Sequence, residues 1–141
     1  MAALLRHLAK LDIPGGGQVV AENGWAYVGH MHPPEGTSII DVADPRRPRI
    51  VSQVSLPPHT HSHKVRVHGD IMLVNNERFG GGLRAVDISN PYRPEEVDSF
   101  MPTPGAGQKI VQSNDVFVDK SRGLVYLIDR LNGLDILEFA G

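Results

Sequence analysis

The sequence predicts an all-β fold of the β-propeller type, in which four-stranded antiparallel blades repeat along the chain. The string from Gly36 to Pro48 recurs from Gly82 to Pro94, with Gly, Asp and two Pro residues at the same places. A shorter copy begins at Gly133. Short β-like runs surround each copy in the same order. A period of roughly 45 residues with four strands is typical of a propeller blade.

Each repeated string is preceded by two β-like runs. In the three units these are residues 18–21 and 25–29, 64–67 and 71–74, and 115–118 and 124–128. Gly-containing dipeptides between the runs, such as Asn23-Gly24, indicate hairpins. Fourth strands are expected at residues 49–56 and 95–101. They follow turns in which Asp44 or Asn90 bonds the turn backbone and the next proline fixes φ.

The third unit stops after three strands, and the N-terminal segment is the candidate for its fourth. Residues 8–14 resemble residues 51–57, with apolar residues at matching positions before a shared proline. Closure is favoured because an unpaired strand edge is prone to unwanted pairing. We therefore predict a single domain of about three blades. The units are residues 15–57, 61–102 and 112–141, with residues 5–14 completing the last.

The number of blades raises a question about assembly. Three blades are fewer than the usual four to eight, and a ring of three would have a poorly filled centre. Either several copies form a homo-oligomer that completes a ring, or the chain is a shortened form of a larger propeller. A β-sandwich is the alternative fold.

Composition excludes several classes of function. The 141-residue chain has 40% hydrophobic and 21% charged residues, which is ordinary for a globular protein. A formal net charge of −2 gives no basic surface for nucleic acid. Because there is no cysteine, disulfides, thiolate metal ligands and a cysteine nucleophile are excluded.

The N-terminal residues are interpreted as a structural strand, since charged side chains interrupt residues 1–11 and no small-residue cleavage site follows. No apolar run reaches the ~18 residues that a membrane-spanning helix needs. We therefore expect a cytoplasmic protein with no membrane partner and no nucleic-acid partner.

Several strings resemble the bacterial proteins built from LVIVD repeats, which form β-propellers. They include Tyr27-Val-Gly-His-Met and Ile39-Ile-Asp-Val-Ala-Asp-Pro in the first unit, His61-Ser-His-Lys-Val-Arg-Val-His-Gly-Asp-Ile-Met in the second, and Gly133-Leu-Asp-Ile-Leu-Glu-Phe in the third. The resemblance covers nearly all of the chain. It implies a fold more than an activity. Members of this family are considerably longer, so the resemblance also implies that the middle blades are absent here.

The strongest candidate for chemistry is the histidine-rich segment before the second unit. His59, His61 and His63 alternate, so that in an extended chain their side chains share one face. Imidazoles spaced in this way are ligands for zinc, copper or iron. The first strand of a blade lines the central channel, which predicts a metal site near the channel mouth, with further ligands from other blades. The alternative is that these are surface or turn histidines.

Other polar residues around the same opening are candidate ligand-binding groups. His30 and His32 follow a second strand, whose end lies beside the start of its antiparallel first strand. Lys64, Asn114 and Asp115 lie in segments that lead into first strands. These segments differ between the units while the strands stay alike. Variable polar loops on a repeated frame indicate a binding surface, with ordinary loop divergence as the alternative.

The remaining motifs are interpreted as structural. Glu77 and Arg78 are expected to form an ion pair at the rim, and Asp129 and Arg130 to lie in a solvated turn. The glycine runs lack the strand-to-helix context of a phosphate loop. No Gly-x-Ser-x-Gly elbow is present, and no catalytic residue is predicted.

Two functions therefore remain open. The first is a binding or scaffold module that assembles with other chains, and it is favoured by the repeats and the polar segments. The second is a metal-dependent enzyme with histidines at the propeller axis, which depends on the histidine spacing alone.

Overall fold

The computed structural model describes residues 4–32, 35–56, 58–77 and 81–140, which fold into three antiparallel sheets, here called blades 1, 2 and 3. Within each blade, neighbouring strands follow one another in chain order. This confirms the all-β, blade-like prediction. In the described residues no helix is long and apolar enough to cross a bilayer.

The strands have the following bounds. Blade 1 comprises β1 (Gly16–Glu22), β2 (Trp25–His30), β3 (Glu35–Asp41) and β4 (Arg49–Ser55). Blade 2 comprises β5 (Val65–His68), β6 (Ile71–Asn76), β7 (Gly82–Asp87) and β8 (Glu95–Phe100). Blade 3 comprises β9 (Ser113–Asp119), β10 (Leu124–Asp129) and β11 (Gly133–Glu138).

The turns between strands have the chemistry that the sequence predicts. Asn23 and Gly24 both adopt positive φ, at 54° and 81°, as a type I′ hairpin requires. Asp44 Oδ1 and Asn90 Oδ1 each accept a hydrogen bond from the backbone N–H two residues on, at 3.0 and 3.1 Å. The repeated turns therefore set the register of the outer strands in blades 1 and 2.

Apolar side chains between consecutive blades form two cores. Successive residues of a strand point to opposite faces, so that each blade offers one face to each neighbour. The core between blades 1 and 2 contains Tyr27, Ile39, Val65, Val67, Met72, Val74, Val86 and Ile88. The core between blades 2 and 3 contains Leu73, Leu83, Val116, Val118, Val125 and Leu127.

The first strands of the three blades, β1, β5 and β9, lie next to one another and are joined by side-chain contacts. Arg66 of β5 donates a hydrogen bond to Gln18 of β1 and lies 3.6 Å from the carboxylate of Asp115 in β9. At the far end of these strands, Lys120 Nζ lies 3.0 Å from Glu22 Oε2. The first strands are therefore innermost, and their starting ends lie on one side of the molecule.

The predicted closure of blade 3 by the N-terminal segment is wrong for the single chain. Blade 3 has three strands, and residues 4–15 contain none. The reason is the packing order. β1 and β2 contact β5, and β5 and β6 contact β9, so that blades 1 and 3 stand at the ends of an open row. The N-terminal segment leads into β1 beside blade 1, where Met31 N–H donates to Gly15 O at 3.2 Å.

Candidate functional site

A short segment before β5 brings two histidines and a glutamate together. His61 N–H donates to Glu77 O at 3.4 Å, and Glu77 N–H donates to His61 O at 2.9 Å. This bridge is shifted by one residue relative to the β5–β6 pairing. At the shift, the Lys64 N–H bonds the side chain of Asn75 instead, at 3.1 Å. Such irregularities re-aim side chains. Here they turn both His61 and His63 towards Glu77.

The three side chains have the geometry of a metal-ligand set. His61 Nε2 lies 3.0 Å from Glu77 Oε2, and His63 Nε2 lies 3.4 Å from Glu77 Oε1. One ligand atom from each residue lies within 4.8 Å of the other two. Ligands at ~2.1 Å around a tetrahedral zinc are about 3.4 Å apart. The two imidazole rings are stacked, with centroids 5.5 Å apart and planes at 28°, so one or both rings must rotate before their in-plane nitrogen lone pairs point at a single ion.

Burial leaves part of this cluster without partners. Glu77 is only 8% exposed. Glu77 Oε1 and His63 Nδ1 are buried and have no hydrogen-bond partner among the described residues. An unpaired carboxylate oxygen in a protein interior costs free energy, and such an atom points to an ion or a water at the site.

The electrostatic environment favours neutral His63. Burial is the largest cause that lowers the pKa of His63. The Glu77 carboxylate opposes this effect, while the charges of Lys64, His61 and Arg130 lower the pKa further. The lowered pKa favours the uncharged imidazole of His63, which is the form that binds metals.

Blade 3 supplies the facing wall of the site. Arg130, directly after β10, lies with Nη2 3.6 Å from Glu77 Oε2 and donates from Nε to Asn114 Oδ1 at 3.0 Å. A cavity of about 220 Å³ is lined by His61, Glu77, Gln112 and Arg130. Since a water occupies ~30 Å³ of liquid, the cluster borders a space for several waters or a small ligand.

Blade 1 fixes the histidine segment from behind through two glycines. Ser62 forms an isolated bridge with His30. A Cβ on Gly29 would lie 2.7 Å from Ser62 O, and one on Gly17 would overlap the His63 side chain. The absence of side chains at these two positions lets the segment lie directly on blade 1, which sets the position of His63.

The other candidate histidines lie outside the cluster. His59 is in an exposed turn with a φ of 65°. His30 is buried, and its ring nitrogens contact Ser38 Oγ at 2.8 Å and Pro14 O at 3.2 Å. His32 is exposed. The structure therefore brings His61 and His63 together and engages His30 in separate contacts.

The three remaining candidate ligand-binding residues lie at different places. Lys64 is half-buried, and its backbone is part of the shifted pairing. Asn114 accepts a hydrogen bond from Arg130, which lines the cavity. Asp115 contacts Arg66 on the line of first strands instead.

Two structural interpretations need correction. Glu77, expected in a rim ion pair, belongs to the histidine cluster, while its expected partner Arg78 lies outside the described residues. Asp129, expected in a solvated turn, is 3% exposed and accepts hydrogen bonds from the backbone N–H groups of Gln112 at 2.6 Å and Leu131 at 2.8 Å. Its carboxylate holds together the loops that carry Gln112 and Arg130.

Sequence reasoning missed Glu77 although a signal was available. The end of a second strand lies beside the start of its first strand, and this rule was applied to His30 and His32 of blade 1. Within blade 2 the same rule places Glu77 opposite His61.

Fold and site together define a blade-repeat protein of the β-propeller type. The family model of the LVIVD repeat matches residues 62–102, which contain His63, Glu77 and all of blade 2. The chain therefore contains an LVIVD repeat, and its resemblance to the LVIVD-repeat proteins is confirmed. No curated protein matches the chain.

Proposed function

We propose that this protein is a β-propeller repeat module that binds a divalent transition metal, with zinc as the reference ion, through His61, His63 and Glu77. The observation that carries the proposal is the grouping of these three side chains around a buried carboxylate oxygen that accepts no hydrogen bond. Two imidazoles and one carboxylate are an established ligand set for zinc and for iron(II).

The surroundings favour a bound cation over a simple hydrogen-bonded cluster. A dication beside the Nε2 atoms of the two rings would use Glu77 Oε1, which is buried and accepts no hydrogen bond, although His63 Nε2 lies 3.4 Å away. The lowered pKa of His63 reduces the competition between protons and a metal at that ligand. The backbone bridge between His61 and Glu77 and the support of His63 by Gly29 hold the ligands in place before the metal binds.

Metal content and affinity test the proposal directly. Protein purified without a histidine tag is analysed by inductively coupled plasma mass spectrometry, and zinc affinity is then measured by competition with a chromophoric chelator. We expect one metal per chain. The variants His61→Ala, His63→Ala and Glu77→Gln should each bind at least about 100-fold more weakly, since loss of even an outer-shell partner costs ~10–100-fold.

His59→Ala and His32→Ala are the matched controls, because both remove an exposed histidine that lies outside the cluster. Both should retain the parental stoichiometry and affinity. A parent protein that binds no stoichiometric metal after incubation with zinc, copper or iron would overturn the proposal. Equal losses in the His59 and His61 variants would do the same.

The cavity beside the cluster favours a second candidate, a metal-dependent enzyme. Three protein ligands leave a coordination position free, as in catalytic zinc sites, and the cavity of about 220 Å³ lies against two of the proposed ligands. Cobalt-substituted protein titrated with azide tests whether that position is open. A saturable change in the visible spectrum is expected, and an unchanged spectrum would contradict an open position.

A further inference from the structure

Blade 3 exposes an apolar face that its counterparts in the other blades bury. Phe117, Leu134 and Ile136 are 60%, 57% and 58% exposed. Strand pairing places Tyr126 opposite both Phe117 and Ile136, and Ile128 opposite Leu134, so that the five side chains share one face. We call this set the outer face of blade 3. Single exposed apolar residues are common on protein surfaces, but a contiguous group of five indicates an interaction surface.

The repeat shows what such a face does elsewhere in the molecule. Equivalent strand pairs occupy this face in all three blades: Tyr27 with Ile39, Leu73 with Ala85, and Tyr126 with Ile136. The first pair packs against blade 2, and the second packs against blade 3. The outer face of blade 3 therefore has the same pattern as the two faces that pack against a following blade.

Blade 1 has a face equivalent to the face of blade 2 on which the preceding blade packs. In blade 2, the receiving face contains Val65, Met72 and Val86. The strand registers place Val19, Ala26 and Ile40 at the equivalent positions in blade 1. Val19 is 62% exposed, whereas Ala26 and Ile40 are already buried in the single chain, at 8% and 5%, so that docking of a second copy must replace what covers them. One chain therefore carries both halves of an interblade contact, at the two ends of its row of blades.

The N-terminal segment has the pattern and charges of the strand that blade 3 lacks. Ala9, Leu11 and Ile13 are half-buried while the residues between them are exposed, which is the one-sided burial of an extended segment. In blade 1, Ser38 pairs with Gln53. Transfer of this register to blade 3 places Lys10 opposite Asp135, a pair of opposite charges.

We propose that two copies of this chain associate head to tail into a six-bladed ring. The outer face of blade 3 of each copy packs on blade 1 of the other, and residues 5–14 of each copy pair with β11 of the other as its fourth strand. Pairing in trans is geometrically direct, because the segment lies beside blade 1, the blade on which the partner's blade 3 docks. The contact between blade 3 of one copy and blade 1 of the other therefore occurs twice, and the two contacts close the ring.

The number of blades selects the dimer over larger rings. Two copies with three blades each give six, which lies within the usual range of about four to eight. Three copies would give nine, outside that range. The strand exchange also covers the open edge of β11, whose exposed backbone groups otherwise invite unspecific pairing.

Solution mass and one matched pair of variants test the interface. Size-exclusion chromatography with light scattering should give twice the chain mass for the 141-residue protein. Ile136→Lys places a charge in the proposed interface and should give a folded monomer. Val97→Lys is the control, because Val97 is equally exposed, at 55%, but lies on β8 in the middle blade. It should remain dimeric.

Disulfide trapping tests the strand exchange, and the absence of native cysteine makes it clean. Lys10→Cys and Asp135→Cys are prepared as separate proteins, mixed, dissociated with mild denaturant and re-equilibrated under oxidation. A covalent heterodimer is expected only from the mixture, since each chain alone lacks one of the two cysteines of the proposed pair. A monomeric parent, an open polymer, or a dimer that Ile136→Lys leaves intact would each overturn the proposal. None of these results depends on whether a metal binds.

Discussion

His61 and Glu77 are joined twice, by a reciprocal pair of backbone hydrogen bonds and by a side-chain contact of 3.0 Å between Nε2 and Oε2. The backbone bonds fix the distance between the two residues before any ligand arrives. The backbone that carries these two ligands is therefore ordered before a metal binds, which lowers the entropic cost of binding. His61 lies just before β5 and Glu77 just after β6, so this part of the site is built at one end of blade 2.

Gly29→Ala should weaken metal binding without touching a ligand. A Cβ at this position would lie 2.7 Å from Ser62 O and 2.8 Å from the His63 carbonyl carbon, so that the histidine segment must move away from blade 1. Overpacking of this kind typically costs about 1–3 kcal/mol of stability. We expect zinc affinity to fall by about tenfold or more in the competition assay.

Gly15→Ala is the control for this prediction. A Cβ at Gly15 has no neighbour within 4 Å, and its backbone is not in the left-handed region. The zinc affinity and the urea midpoint of Gly15→Ala should match those of the parent protein. Unchanged zinc affinity in Gly29→Ala would show that the approach of blade 1 does not position His63.

Asp129→Ala should be among the most destabilising single substitutions in blade 3. The buried carboxylate accepts bonds from Gln112 N–H, Leu131 N–H and the Asn132 side chain, at 2.6, 2.8 and 2.7 Å. Its removal leaves several partly buried donors unpaired, each at a cost of up to roughly 1–3 kcal/mol. We expect a loss of about 2–4 kcal/mol in urea unfolding.

Asp119→Ala provides the comparison for Asp129. Asp119 makes the same kind of turn contact, with Ser121 N–H at 3.1 Å, but its hydrogen bonds are exposed. Water can replace the lost acceptor there, so the expected loss is below about 1 kcal/mol. Equal losses in the two variants would contradict the role assigned to burial.

Tyr27 should make the protein sensitive to alkali. Burial in the core between blades 1 and 2 raises the pKa of Tyr27 above its ordinary value of 10.0, with smaller contributions from Glu22 and Asp70. The unfolded chain therefore loses this proton at lower pH than the folded chain. Stability should be retained below pH 10 and fall as the pH rises above it.

Urea unfolding at pH 9 and pH 10.5 measures this effect. Tyr27→Phe cannot ionise and should lose less stability over the same interval. An equal loss in the parent and in Tyr27→Phe would assign the alkaline sensitivity to other groups.

The fold was predictable because its signals are local and repeated. The turns at Asp44 and Asn90 and the Asn23-Gly24 hairpin each follow from a few adjacent residues. The cluster was only half predictable. Alternation pairs His61 with His63, but the one-residue shift that turns both towards Glu77 depends on Asn75 replacing a backbone partner. The open end of the row was not predictable, because it depends on the packing of blades and not on any one strand.

Arg130 is a positive group that competes with a metal for the Glu77 carboxylate. Its Nη2 lies 3.6 Å from Glu77 Oε2, while its side chain is half-exposed at 54%. A guanidinium this close to the site repels a dication and neutralises part of the ligand charge. Arg130→Met keeps much of the aliphatic stem and removes the charge, so zinc should bind about tenfold more tightly at low ionic strength. The gain should shrink in 0.5 M salt, because salt screens the repulsion between Arg130 and the metal in the parent protein.

Arg122→Met is the control, since Arg122 lies at the far end of blade 3 beside Asp119, and it should leave zinc affinity unchanged. Weaker binding in Arg130→Met would instead mean that this arginine orients Glu77 for the metal.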